Sequence, residues 1–317
     1  MTLILAFPGM ERLAECVARE AGCDWRAIDL HHFPDGESLV TLPEGLAGHD
    51  IAVLATLRDP DRLALPLLFA ASTARELGAR SVGLVAPYLG YMRQDTRFAA
   101  GQAISAPIFA RFLEQGFDWL VTADPHLHRN ASLDQLFAIP TLRIETAPLI
   151  AEWIRQNVPD PVLIGPDSES RQWVERIASL GSLPFEVWEK RRAGDRQVAV
   201  TRPDEHNRPS GTPVVVDDIV STGRTMMDVI RQLLAAGWPA PVCVITHAVF
   251  ADHAQRDLLA SGATRIVSTD SIPHETNAIS LYVPLASGIA EMTAAFGGEA
   301  SAPFPTRTRK DLAAKER

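Results

Sequence analysis

Short apolar runs of strand length alternate along this chain with longer segments that repeat apolar positions at helical spacing. Residues 3–7 (LILAF), 51–57 (IAVLATL), 81–88 and 118–124 are strand runs, separated by helical patterns at 10–21, 63–79 and 104–116, with Gly22 as the first stop. A strand-like stretch from Trp25 to Leu30 leads into HHFPDGE (31–37), whose PDG core signals a turn. The second half repeats the rhythm: helix 146–158, strand 161–167, helix 169–181, then strands near 185–188, 196–202 and 213–216. Helix 226–237, strand 241–249, helix 251–263, strands 265–270 and 280–285 and a last helix at 287–295 follow. Such alternation predicts an α/β fold with mainly parallel sheets flanked by helices, right-handed crossovers, and sites at the carboxyl ends of strands. The chain divides into residues 1–143, residues 144–297 and a charge-rich tail, 298–317, expected to be flexible.

The most informative strand end is VVVDDIVSTGRT, residues 214–225. A β-branched run gives way to Asp217 and Asp218, then a hydroxyl-and-glycine turn, then a helix. Backbone N–H groups at such a helix start, with the hydroxyls of Ser221, Thr222 and Thr225, suit a phosphate. Gly223 permits close approach or a positive φ. Two carboxylates beside an anion nest would repel a lone anion. They ask for a ligand with hydroxyls next to its phosphate, or for a metal. An N-capped helix after a buried strand, with solvated Asp217 and Asp218, is the plainer alternative.

Three other strand ends carry polar clusters: Arg93, Gln94 and Arg97 after Tyr88; Pro125, His126 and His128 after Asp124; and Asp167. Guanidinium groups present forked donors suited to phosphate oxygens. Glu189, Lys190, Arg191 and Arg192 form a charged run in which alternation would put Lys190 and Arg192 on one strand face. Taken singly, each cluster is also compatible with a solvated loop, and HHFPDGE with an ordinary hairpin.

Composition narrows the classes. The 317 residues are 46% hydrophobic and 22% charged, long enough for two cores. A net charge of −9 argues against a broad nucleic-acid surface, so any phosphate binding must be local. Cys16, Cys23 and Cys243 form no CxxC and no disulfide framework, which fits a reducing compartment. No apolar stretch is long enough to cross a bilayer and no basic region precedes the N-terminal apolar run, so a cytoplasmic protein with no membrane partner is expected.

Taken together and in order, these loops resemble the ribose-phosphate diphosphokinase family, whose members make phosphoribosyl diphosphate. The resemblance spans roughly residues 3–296 and implies two similar phosphoribosyltransferase-type domains. It implies that Phe33, Asp35 and Glu37 of FPDGE reach ATP held largely by a neighbouring subunit, hence a homo-oligomer, a dimer or a dimer-based hexamer. Arg93, Gln94, Arg97 and His126 are implied ATP contacts, and His126 and Asp167 are implied to help bind Mg²⁺. Lys190 and Arg192 match the family's catalytic pair. Asp217, Asp218, Ser221, Thr222, Gly223, Arg224 and Thr225 match the ribose 5-phosphate loop. The chain departs from the family pattern at Thr96, where a basic residue is usual, at Ser168, Glu169 and Ser170, which replace a glycine-rich continuation, and at Arg224, which replaces a small residue.

The reaction so implied is transfer of the diphosphoryl group of ATP to the anomeric hydroxyl of ribose 5-phosphate. Two alternatives stay open at this level: a non-catalytic regulatory homologue, and a phosphoribosyltransferase that consumes phosphoribosyl diphosphate.

Overall fold

The computed structural model describes residues 1–97, 99–127, 132–167, 170–193, 197–201 and 211–297. The 298–317 tail, His128, Ser168 and Glu169 lie outside the described residues.

The first half runs β1 (Thr2–Ala6), α1 (Glu11–Ala21), β2 (Asp24–Ala27), β3 (Asp29–His32), β4 (Ser38–Thr41), β5 (Asp50–Leu54), α2 (Pro60–Glu76), β6 (Ser81–Ala86), α3 (Ser105–Leu113), β7 (Trp119–Ala123) and β8 (Thr141–Ile144). Six of these strands form a parallel sheet in the order β2-β1-β5-β6-β7-β8. Period-two alternation sorts its side chains. Leu3, Leu5, Ile51 and Val53 face α2 and α3, whereas Ile4, Ala6, Ala52 and Leu54 face α1. Gly83 is required where β6 meets β7, because a Cβ there would lie 2.0 Å from the Trp119 ring. The stretch expected as one strand at 25–30 is split at buried Ile28, and β3 and β4 leave the sheet as a separate antiparallel hairpin.

The second half runs α4 (Ala147–Asn157), β9 (Pro161–Gly165), α5 (Arg171–Gly181), β10 (Phe185–Val187), β11 (Glu189–Ala193), β12 (Gln197–Thr201), β13 (Thr212–Ile219), α6 (Arg224–Ala235), β14 (Val242–His247), α7 (Ala254–Ala260), β15 (Arg265–Thr269), β16 (Asn277–Ile279) and α8 (Tyr282–Gly297). Its parallel sheet has the order β10-β9-β13-β14-β15-β16, with the same sequence of crossovers as the first. Leu163, Val214, Val216 and Val244 pack on α4 and α5; Ile164, Val215, Cys243 and Ile245 pack on α6 and α7. β11 and β12 form their own antiparallel hairpin.

The expected strand at 280–285 is instead the start of α8. Leu281, Leu285, Ile289 and Met292 recur at helical spacing, and all four are buried against Ile4, Leu54 and Val121 of the first sheet. Pro284 fits because the first turn of a helix has no use for its missing N–H. Asp270 accepts from the Leu281 N–H at 2.8 Å and from the Ser280 hydroxyl, satisfying donors at the helix entry. The last helix therefore crosses back and closes the open face of the first sheet beside α1.

Candidate active site

In both sheets the strand order reverses beside the first strand of the set, and a crevice opens there at the carboxyl edge. In the second sheet that crevice lies between β9, which ends in Gly165-Pro166-Asp167, and β13, which ends in Asp217-Asp218. It opens into a cleft of about 550 Å³. Arg93, Asp124, His126, Arg143 and Glu145 line it from the first half; Asp167, Gln172, Trp173, Arg176, Asp217, Asp218 and Thr225 line it from the second.

His126 Nδ1 is hydrogen-bonded to the Asp218 carboxylate, joining the two halves across the cleft. Asp124, 4% exposed, anchors the turn that carries His126. Its Oδ1 accepts from Arg143 Nε (3.0 Å) and Nη2 (2.6 Å), and its Oδ2 from the Thr146 N–H (2.8 Å) and hydroxyl (2.6 Å). Beyond it, Arg176 makes a forked pair with Glu145 at 2.5 and 3.0 Å, which holds the Glu145 carboxyl below its ordinary pKa. At the floor the balance is reversed. Burial, then the charges of Asp218 and Asp167, push the Asp217 carboxyl well above its ordinary value.

Among the described residues no three His, Cys, Asp or Glu side chains converge closely enough to hold a metal by themselves. His126 and Asp167 line the same cleft as Asp217 and Asp218, and so few protein ligands suit a hard divalent cation that keeps several of its waters.

The loop before α6 is open at the helix start. Gly223 adopts φ +69 as the residue before α6, and the helix start has no side-chain cap among the described residues, so its N–H groups are available to a ligand. Ser221 is held by its carbonyl, which accepts from the Ala251 N–H at 3.0 Å; Thr222 and Arg224 are exposed, and Thr225 turns into the cleft. Lys190 and Arg192 lie two residues apart on β11, in register with Val200 and Val198 of β12.

The remaining expected contacts are spread more widely. Arg93 lines the main cleft, while Gln94 and Thr96 line a neighbouring cavity of about 360 Å³. There Gln94 Oε1 accepts from Ser105 Oγ at 2.6 Å, and Arg97 Nε donates to the Gln102 carbonyl at 2.8 Å. Phe33, Asp35 and Glu37 sit at the exposed tip of the β3–β4 hairpin and do not line the cleft of their own chain. The wall formed by Arg143, Glu145, Gln172, Trp173 and Arg176 was not singled out in the sequence. Only a charged residue repeating on either side of Ile144 hints at it.

A family model described as the N-terminal domain of ribose phosphate pyrophosphokinase matches residues 2–116, and one described as the phosphoribosyl transferase domain matches residues 132–283. A ribose-phosphate pyrophosphokinase of Methanopyrus kandleri is 30% identical over 293 residues, covering 92% of this chain and 99% of that protein. The chain belongs to the ribose-phosphate pyrophosphokinase family. Its relatives in Methanothermobacter thermautotrophicus (31% identity over 280 residues, 88% and 96% covered) and Halobacterium salinarum (30% over 289, 90% and 100%) carry the same name. A phosphoribosylpyrophosphate synthetase from Mycobacterium smegmatis shares the fold, with a TM-score of 0.80 at 24% identity over 93% of this chain and all of that one. This pyrophosphokinase is thus an enzyme of phosphoribosyl diphosphate synthesis. Among its described residues no helix is long and apolar enough to cross a membrane.

Proposed function

We propose that this pyrophosphokinase transfers the β,γ-diphosphoryl group of ATP to the anomeric hydroxyl of ribose 5-phosphate, releasing AMP, in the cleft between its two sheets. The observation that carries the reading is the His126–Asp218 hydrogen bond, which joins a residue of the first half to one of the second; this reading assigns the first to the donor's phosphates and the second to the sugar. A phosphoribosyltransferase has no need of the first half of such a cleft.

In this reading Ser221, Thr222, Gly223, Arg224 and Thr225 receive the 5-phosphate at the start of α6, and Asp217 and Asp218 accept hydrogen bonds from the ring hydroxyls. Arg93 and His126 hold the donor's phosphates, with Gln94 and Arg97 at the edge of that subsite. Mg²⁺, bound through His126 and Asp167 and completed by phosphate oxygens and water, would neutralise charge on the diphosphoryl group. In this reading Lys190 and Arg192 stabilise the charge that develops in transfer, a role worth on the order of 3 kcal/mol per well-aimed donor. Phe33, Asp35 and Glu37 contact the adenine of ATP bound by a neighbouring copy, so the working protein is a homo-oligomer, and we place it in the cytoplasm.

The test is product formation without any nucleobase. Purified protein given Mg²⁺, ATP and ribose 5-phosphate should release AMP and phosphoribosyl diphosphate in equal amounts. Nucleotide binding without product would favour a regulatory homologue, and product that depends on an added base would favour a phosphoribosyltransferase.

A further inference from the structure

Two histidines join the halves in opposite directions, and only one of these hydrogen bonds involves a residue with an assigned role; Arg58 of the first half adds bonds from Nε to the Val249 carbonyl (2.7 Å) and from Nη2 to the Phe250 carbonyl (2.8 Å). His126 of the first half reaches Asp218 of the second; in return His247, at the end of β14 in the second sheet, donates from Nε2 to the Asp124 carbonyl of the first at 3.1 Å. That carbonyl also accepts from the His126 N–H at 2.8 Å, closing a tight turn over Pro125. Both flanking residues are strained: Asp124 has φ 31 and His126 φ 40, values that side chains with a Cβ rarely adopt. Strain of this kind persists only where surrounding contacts over-determine it.

His247 is 1% exposed and does not line the cleft. Its ring lies 4.9 Å from that of Tyr88, and Nδ1 is 2.9 Å from Ser271 Oγ. A carbonyl oxygen can only accept, so Nε2 carries the hydrogen, and Nδ1 faces the Ser271 hydroxyl, which also lies 3.1 Å from the Thr246 carbonyl. The ring thus has a fixed tautomer aimed at one backbone atom. Resting on the functional reading above, we propose that His247 is a positioning residue for diphosphoryl transfer: it pins the Asp124–His126 turn to the second sheet and so sets where His126 stands in the cleft.

The test compares His247→Phe, which keeps a ring against Tyr88 but has no donor, with His247→Gln, whose Nε2 amide can occupy the same place. In the Phe variant kcat should fall by about tenfold to a hundredfold, the range that a misplaced catalytic geometry costs. The KM for ribose 5-phosphate should stay within about twofold, since His247 meets the entry to that loop through its backbone carbonyl, which accepts from the Val220 N–H at 3.2 Å whatever the side chain. The Gln variant should recover most of the lost turnover. Amide hydrogen exchange across residues 124–127 should quicken in the Phe variant and not in the Gln variant. Equal kcat in the two variants, or wild-type turnover and exchange with Phe, overturns the proposal. Should the Phe variant fail to fold, His247→Met, which also lacks a donor, takes its place: kcat should again fall at least about tenfold below the Gln variant, and wild-type turnover there overturns the proposal. A wild-type protein that makes no product would refute the functional reading alone, because the exchange comparison still judges the turn.

Discussion

Replacing Asp124 by Asn removes one charge and one acceptor from the anchor of the His126 turn, and the structure says what that should cost. The carboxylate takes four hydrogen bonds, two on each oxygen, and every partner is a donor. An amide must therefore point its NH₂ group at donors whichever way it turns. Facing Thr146, it would strand a buried backbone N–H; facing Arg143, it would displace a guanidinium that is half exposed and can swing into water. The second arrangement costs less, so the loss reduces to two charge-assisted hydrogen bonds from a half-exposed donor, about 2–3 kcal/mol in all. Asp124→Ala strands the Thr146 N–H as well and should cost about 4 kcal/mol. Urea unfolding measures both, the midpoint moving down with an unchanged slope. Loss in either variant of less than about 0.5 kcal/mol, the scale of an ordinary surface substitution, would refute the reasoning.

Three further outcomes are expected. Lys190→Ala should lower kcat far more than it raises the KM for ATP, and steady-state kinetics showing equal change in both would count against a transition-state role. Burial holds the His247 imidazole below its ordinary pKa, so the unfolded chain binds that proton first. The resulting stabilisation is complete above about pH 6.5 and drains at up to about 1.4 kcal/mol per unit as pH falls from there toward the native value. The stability of His247→Gln should accordingly fall less steeply on acidification, and parallel wild-type and variant curves would contradict it. Chelation of Mg²⁺ should abolish product formation while leaving the unfolding midpoint of the ligand-free protein in place, as measured by thermal melts, because in the proposed site the cation takes most of its ligands from substrate oxygens and water.

Much of the architecture was legible because buried parallel strands read as continuous apolar runs and their helices as periodic ones. The strand at 280–285 was misplaced for a physical reason. An apolar hexamer has no visible period, and only the distant positions Ile289 and Met292 reveal the helix that Leu281 and Leu285 begin. At the site, loops such as Asp217 to Thr225 were readable since their chemistry is local: acidic pair, hydroxyls, glycine. Asp124 stood in view as a strand end, yet its work is done through Arg143 and Thr146, which lie beyond the next loop. His247 was hidden for the same reason. Its partner is a backbone carbonyl far away in sequence, and a histidine closing an apolar strand carries no spacing that announces such a contact.

The measurement closest to the central claim follows the γ-phosphorus of ATP. Wild-type protein is given Mg²⁺, ATP labelled in the γ-phosphate and ribose 5-phosphate, and the label is traced among products. If one cleft brings the diphosphoryl group of ATP against the sugar's anomeric hydroxyl, the label appears in phosphoribosyl diphosphate, matched by unlabelled AMP. Label released as inorganic phosphate with ADP, or retained in ATP while both substrates bind, would contradict it.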